Sequence, residues 1–303
     1  MDQYPENEKP LEDQDVWTVQ RILTWSAGWL KGKQSHPSCN ARLDAELLLA
    51  SVFCIDRMNL FLQLDRPLTK LERDSFKNLL LRRGHGEPVA YILGYRDFYR
   101  QRFIVSRDVL VPRPDTELLV ESTIKFAKSR PGQINILDIG TGSGCIAISI
   151  ANELPEALVE AWDVSEPALE IAKRNAENLE ILNVRFEVCN GLALDEENSQ
   201  EFDVIVSNPP YIASDEVALL SPETLAYEPR LALFCPNQNG FSFYEAFAKN
   251  AGQALKPGGR IFLEVGVNQS AKVAQLFEGA GWGKILIEKD LSGHGRVVSA
   301  EKP

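Results

Sequence analysis

Asn208, Pro209, Pro210 and Tyr211 form the stretch of this 303-residue chain whose types and spacing carry the most specific chemistry. They follow "FDVIVS", an apolar run rich in β-branched residues, so an amide, two prolines and a phenol stand where a buried strand ends. Pro209 keeps Asn208 out of the helical region and Pro210 does the same to Pro209, which makes the turn stiff and extended. Neither proline has an N–H to donate. What the stretch offers is acceptors, the side-chain oxygen of Asn208 and the main-chain carbonyl of Pro209. Two fixed acceptors suit a planar amino group with two N–H donors, either a carboxamide or the exocyclic amine of adenine. Such a nitrogen is a poor nucleophile because its lone pair is delocalised. Holding both hydrogens in plane turns its reactive face towards an electrophile, and alignment of this kind lowers a barrier substantially. The Tyr211 ring can pack against the planar group. In the competing structural reading, Asn208 caps a local turn and Tyr211 belongs to the core.

A second motif gives that electrophile a place. In "LDIGTGSGCIAISIA", Gly140, Thr141, Gly142, Ser143 and Gly144 stand between a strand and a helix, where glycine permits a tight turn and close approach of a ligand to the backbone. The next strand ends in Asp163, 23 residues after Gly140, where a carboxylate can accept from both hydroxyls of a ribose. A nucleoside-type cofactor in a Rossmann-like crevice is expected. Nicotinamide dinucleotide and S-adenosylmethionine both remain open on these residues. The second is favoured, because a classical dinucleotide site prefers GxGxxG and because the sheet expected here ends in an antiparallel hairpin.

These residues need elements to position them. Residues 14 to 83 read as helical: Val16, Val19, Leu23 and Leu30 mark one apolar face, "NARLDAELLLASVF" supplies a second helix, and Thr69 with Glu72 opens a third as a capping box. Residues 90 to 111 fit a short hairpin. From Pro112 onward strands and helices alternate, "INILDIG", "LVEAWDV", "VRFEV", "FDVIVSN" and "RIFLEVG" being the strands, which argues a parallel sheet covered on both faces. "KILIEKD" and "GRVVSAEK" are joined by "LSGHG", too short for a crossover, so they must run antiparallel. In "PRPDTE", residues 112 to 117, Asp115 or Thr116 is expected to cap a helix whose first turn carries Glu117, and Arg113 is left without a role.

Composition narrows the class. A net charge of −11 and a pI near 5.0 weigh against broad binding to phosphate backbones. Seven arginines between Arg82 and Arg113 face three acids, a local charge of +4 that reads either as a solvated surface or as a docking strip for a polyanionic partner. The acidic N-terminus and the absence of a long apolar run suggest a cytoplasmic protein without a membrane segment. Five scattered cysteines and three distant histidines point to neither a disulfide framework nor a metal site.

With these residues assembled, the chain resembles the peptide chain release factor glutamine methyltransferases, PrmC or HemK. The similarity rests on "NPPY", "ARLDAELLLA", "GEPVAYILGYRDFYRQRFIVSRDVLVPRPDTELLVE", "YEPRLALF", "GGRIFLEVG" and "KDLSGHGRVV". It implies an α/β fold. The main domain is a Rossmann-like class I S-adenosylmethionine-dependent methyltransferase, a seven-stranded, mostly parallel sheet with an antiparallel C-terminal hairpin, and a small helical bundle precedes it. The expected boundaries are a disordered acidic tail at 1–13, a helical domain at 14–88, a hairpin linker at 89–111 and the methyltransferase domain at 112–303. The resemblance further implies methylation of the glutamine side-chain amide in the Gly-Gly-Gln motif of class 1 release factors. It places cofactor contacts on Gly140 to Gly144, Asp163 and Asn208, and substrate contacts on Asn208, Pro209, Pro210 and Tyr211. Where the family usually has an acid and an aromatic beside the adenine, this chain has Asn190 and Gly191. A monomer without stable nucleic-acid binding is expected. The rival readings are an adenine-N6 methyltransferase on DNA or RNA, a glutamine methyltransferase acting on a ribosomal protein, and a module that binds S-adenosylmethionine without turnover.

Overall fold

The computed structural model describes residues 16–33, 40–192, 201–235 and 239–302, so the tail expected at 1–13 lies outside the described residues. The chain divides into two compact units, Met1–Leu93 and Gly94–Pro303.

The first unit is helical: α1 (Val19–Lys33), α2 (Ala41–Val52), α3 (Arg57–Leu60), α4 (Lys70–Gly84) and α5 (Val89–Leu93). Val19, Leu23 and Leu30 of α1 meet Leu48 and Leu49 of α2 and Phe76 and Leu80 of α4 in one core. Val16 precedes α1 and is 60% exposed, so it is not part of that apolar face. Asn40 accepts from the Leu43 N–H at 3.0 Å and starts α2. Thr69 and Glu72 close both halves of the expected capping box, Glu72 N–H to the Thr69 hydroxyl at 3.3 Å and Thr69 N–H to the Glu72 carboxylate at 2.8 Å. Inside, Arg83 of α4 bonds Asp44 of α2 at 2.7 Å. One segment departs from expectation. "AYIL" is helical rather than extended, because the Pro88 carbonyl accepts from the Tyr91 and Ile92 N–H groups at 3.0 and 3.1 Å. Proline at the mouth of a helix loses no hydrogen bond and pre-sets φ.

The second unit opens with an antiparallel pair, β1 (Tyr95–Phe98) and β2 (Gln101–Ile104), joined through Tyr99 and Arg100, both at positive φ (44° and 65°). Then follow α6 (Thr116–Lys128), β3 (Asn135–Ile139), α7 (Cys145–Glu153), β4 (Leu158–Asp163), α8 (Glu166–Asn178), β5 (Val184–Val188) and β6 (Phe202–Ser207). The short α9 (Pro222–Tyr227) and α10 (Arg230–Leu233) lead to α11 (Ser242–Ala254), β7 (Leu255–Glu264), α12 (Ser270–Gly279), β8 (Gly283–Lys289) and β9 (Gly295–Glu301). The sheet order is β5-β4-β3-β6-β7-β9-β8, parallel except for β9, which lies antiparallel to both β7 and β8. This is the expected seven-stranded sheet with its C-terminal hairpin.

Alternation divides the core. Ile136, Val204, Val206 and Phe262 pack on one face with residues of α6 and α7, while Leu137, Ile139, Ile205, Ile261 and Leu263 pack on the other with α11 and α12. Every residue of β6 is buried. From β3 the chain winds one way to β4 and β5, then returns to place β6 on β3's other edge. Such a reversal opens a crevice outside the carboxyl ends of the strands, where ligands of open α/β sheets bind.

Candidate functional site

At that reversal β3 runs out at Ile139, and the amides of Gly140 and Thr141 both donate to the Trp162 carbonyl of β4, at 2.8 and 3.0 Å. Gly140, Gly142 and Gly144 take φ of +75°, +56° and +80°, so the loop alternates through conformations that other residues adopt only with strain. The glycines differ in purpose. A Cβ on Gly140 or Gly142 would meet nothing within 4 Å, whereas one on Gly144 would meet the Ile148 Cδ1 at 2.8 Å and Ala172 Cβ at 3.1 Å. The first two leave open space above the loop, and the third lets α7 pack. Ser143 is buried, its hydroxyl beside the Cys145 thiol.

Asp163, at the end of β4, accepts from the Gly142 N–H at 2.8 Å on one carboxylate oxygen and from the Ser165 N–H at 2.9 Å on the other. Each oxygen keeps lone-pair capacity for a further donor. Just beyond β5, the Cys189 N–H donates to the Asp163 carbonyl at 3.1 Å, which brings Asn190 and Gly191 to the same sheet edge. Asn190 uses its side-chain oxygen on the Leu192 N–H at 3.2 Å, closing its own turn. Gly191 lies flat on β3: a Cβ there would stand 2.1 Å from Ile139 Cγ2.

At the end of β6, the Ser207 hydroxyl donates to the Ile139 carbonyl at 2.7 Å and locks the exit of β6 to that of β3. The Asn208 side-chain nitrogen donates to the Thr116 hydroxyl oxygen at 3.3 Å. Its amide is thus turned nitrogen-inward. Pro209 is buried and Pro210 partly so. Gln269 holds the far end, its side-chain nitrogen donating to the Tyr211 carbonyl at 2.9 Å while its oxygen accepts from the Gly266 N–H at 3.0 Å. Burial pushes the Tyr211 phenol up to about 12, so it stays neutral.

Two buried acids back the loops. Asp138 in β3 is pushed up to about 7 by burial, opposed by the Thr141 hydroxyl, which donates to it at 2.6 Å. Glu264, at the end of β7, is also pushed up to about 7 by burial. The Thr116 hydroxyl, the Arg296 charge and the Asn208 amide pull the other way. One Glu264 oxygen, Oε2, is buried without a hydrogen-bond partner.

The "PRPDTE" segment serves as a brace. Arg113 pairs with Glu228 at 2.6 Å, and the Val111 N–H donates to the same carboxylate at 3.4 Å, which ties this segment to "YEPR". Asp115 stands at the N-cap position of α6, but its side chain makes no capping bond, contrary to the sequence expectation. Its carboxylate goes instead to Arg296 of β9, a charged partner worth more than a backbone amide. Glu117 accepts from the Tyr99 N–H at 3.0 Å and so anchors the β1–β2 turn. The arginines between 82 and 113 are largely engaged: within the first unit Arg82 pairs with Glu87, and within the second Arg102 pairs with Asp97 while Arg107 lies over Tyr227.

The fold therefore brings the glycine loop, Asp163, Asn190, Gly191 and Asn208 to one sheet edge. Glu264, Thr116, Gln269 and Asp138 were not among the sequence candidates. A signal existed for the acids: an Asp in "INILDIG" and a Glu in "RIFLEVG" are charges inside apolar strands, where carboxyls are rare unless engaged.

The chain is similar to known proteins along most of its length. A family model described as "Methyltransferase domain" matches residues 132–289, and one described as "PrmC N-terminal domain" matches residues 22–94. A release factor glutamine methyltransferase of Geobacter sulfurreducens is 38% identical, the match covering 95% of this chain and 98% of that protein. One of Rhodopirellula baltica is 39% identical over 94% of this chain and 97% of that protein. A bifunctional methyltransferase of Rickettsia typhi is 40% identical over 84% of this chain, a match that spans 52% of that protein. No helix among the described residues is long and apolar enough to cross a membrane.

Proposed function

The chain belongs to the release factor glutamine methyltransferase family, and on that premise we infer that it methylates the side-chain amide nitrogen of the glutamine in the Gly-Gly-Gln motif of class 1 peptide chain release factors, with S-adenosylmethionine as donor. The observation that carries this reading is the Asn208 amide, whose nitrogen is committed to Thr116. Its oxygen is left as an acceptor at the end of β6, and the carbonyl of Pro209 follows it in the chain.

The residues present fit the donor. Open space over Gly140 and Gly142 admits a ligand against the backbone, and the Asp163 carboxylate retains lone pairs for ribose hydroxyls. Gly140, Thr141, Gly142, Ser143 and Gly144 would line the cofactor with Asp163 and Asn208, while Asn190 and Gly191 would flank the adenine. Asn190 is already occupied by its own turn, so adenine recognition there leans on shape. When bound, the cofactor supplies a methyl group on a positively charged sulfur.

The chain's own residues do the rest. Asn208 Oδ1 and the Pro209 carbonyl accept the two N–H bonds of the substrate amide and hold them in one plane, which turns the face of the nitrogen to the methyl carbon. The Tyr211 ring flanks the planar group and, staying neutral, takes no proton from it. Gln269 keeps the backbone after Pro210 from relaxing. The proton left on the product nitrogen departs to solvent.

Asn208→Ala removes an acceptor felt most in the transition state. Turnover on a release factor should fall roughly 100- to 1,000-fold, as on loss of one preorganised hydrogen-bonding group, with the cofactor dissociation constant changed far less. Wild-type turnover by the variant would overturn the assignment.

A further inference from the structure

Behind Asn208 lies a buried carboxyl that the chemistry above leaves unused. Glu264 ends β7, is 2% exposed, and has an oxygen with no hydrogen-bond partner. The Thr116 hydroxyl and the Asn208 amide both act on the Glu264 carboxyl, and the Thr116 hydroxyl oxygen also accepts from Asn208 Nδ2 at 3.3 Å. We propose that Glu264, acting on Asn208 both directly and through the Thr116 hydroxyl, is the positioning residue that decides which end of the Asn208 amide faces the substrate. This rests on the reading of Asn208 as a substrate acceptor.

A hydroxyl has one hydrogen to give. An ionised Glu264 can only accept, so it takes the Thr116 hydrogen and leaves a Thr116 lone pair for Asn208 Nδ2. Nδ2 is then anchored inward and Oδ1 points to the crevice. A protonated Glu264 can donate to Thr116 instead, which releases the Thr116 hydrogen for the Asn208 oxygen. The amide is then as well satisfied turned over, with its NH2 outward. Two donors facing a substrate amide that brings two donors of its own repel it. The same three side chains thus hold a competent and an incompetent arrangement, and one proton exchanged with solvent chooses between them.

The surroundings place this choice near neutrality. Burial holds Glu264 at about 7. Arg296 on β9 favours its ionised form, and Asp115 at the start of α6 opposes it. Tyr211, Tyr244 on α11 and Cys145 on α7 also lie within its electrostatic reach. All three are pushed up by burial, so they stay neutral while Glu264 titrates.

Three measurements test the proposal. Single-turnover methyl transfer to a release factor should rise with pH through about 7 in the wild type. In Glu264→Gln the limb should vanish and the rate at pH ~8 should drop about tenfold, the worth of one hydrogen bond, with cofactor binding nearly unchanged. Thr116→Val should reproduce the loss and Thr116→Ser should restore the rate, a pair that decides the matter if Glu264→Gln does not fold. Without any substrate, the Asn208 side-chain NH2 resonances, identified by their loss in Asn208→Ser, should shift with the same midpoint in the wild type and hold still in Glu264→Gln. A retained acid limb in Glu264→Gln, or Asn208 resonances indifferent to pH in the wild type, would overturn the proposal. Wild type that methylates no release factor at any pH would sink the functional reading instead, and the resonances would still decide the positioning claim.

Discussion

Glu264 and Asp138 show at the level of single residues that this fold pays for its site in stability. Each carboxyl titrates at about 7, well above its ordinary value of 4.5 or 3.8. Between those limits the native state holds a proton that the unfolded chain has lost, so stability is full below the unfolded value and falls as pH rises to about 7. For Glu264 the loss amounts to about 3 kcal/mol, at roughly 1.4 kcal/mol per unit. Urea unfolding at a series of pH values should therefore show Glu264→Gln gaining on the wild type by about that amount between pH ~4.5 and ~7, and parallel curves would contradict it. The form of Glu264 proposed to be active is the one the fold holds less well. Residues of this kind were the least legible in the sequence. Asn208 to Tyr211 announce themselves because an amide and two prolines break an apolar run. Glu264 stands out only as a charge inside one such run, which marks it as engaged without showing with what, and its partner Thr116 lies 148 residues away.

Among the elements, the glycine loop and α8 carry the site's geometry. Gly142→Ala should cost only about 1–2 kcal/mol of stability, the strain of a left-handed residue, because its Cβ meets nothing. It should nonetheless weaken cofactor binding markedly, since that Cβ enters the space over the loop. Gly144→Ala should lose more stability, as its Cβ also runs into Ile148 and Ala172. Thermal unfolding with cofactor titration separates the two, and equal cofactor affinity in Gly142→Ala and wild type would refute the assignment of that space. Asn175 of α8 joins two parts that look unrelated in sequence: its side chain donates to the Ser143 carbonyl at 2.9 Å and to the Ile104 carbonyl at 3.0 Å, and accepts from the Ile104 N–H at 2.6 Å. Asn175→Ala strands these groups and should cost about 3 kcal/mol by urea unfolding; a loss under about 1 kcal/mol would mean that water replaces them. The strands were legible because apolar runs of five to seven residues between glycines and helices have few other readings. The short α9 and α10 were not, since helices of six and four residues show no periodicity. A long-range link such as Asn175 leaves no local trace in the chain.

For the molecule as a whole, fold and family were legible because distinct signals agreed: a glycine loop after one strand, an acid ending the next, and a terminal pair of strands that can only be antiparallel. Each alone has bland explanations. The choice between a protein amide and an adenine amine is different, because both are planar groups with two donors and Asn208 with Pro209 would accept either. A net charge of −11 and arginines spent on internal pairs favour the protein. The decisive measurement is the partition of labelled methyl groups from S-adenosylmethionine among a class 1 release factor, the same factor with its Gly-Gly-Gln glutamine changed to alanine, and duplex or ribosomal nucleic acid. Label confined to the unaltered release factor is the predicted result. Equal label in the alanine variant, or label in nucleic acid alone, would contradict the account.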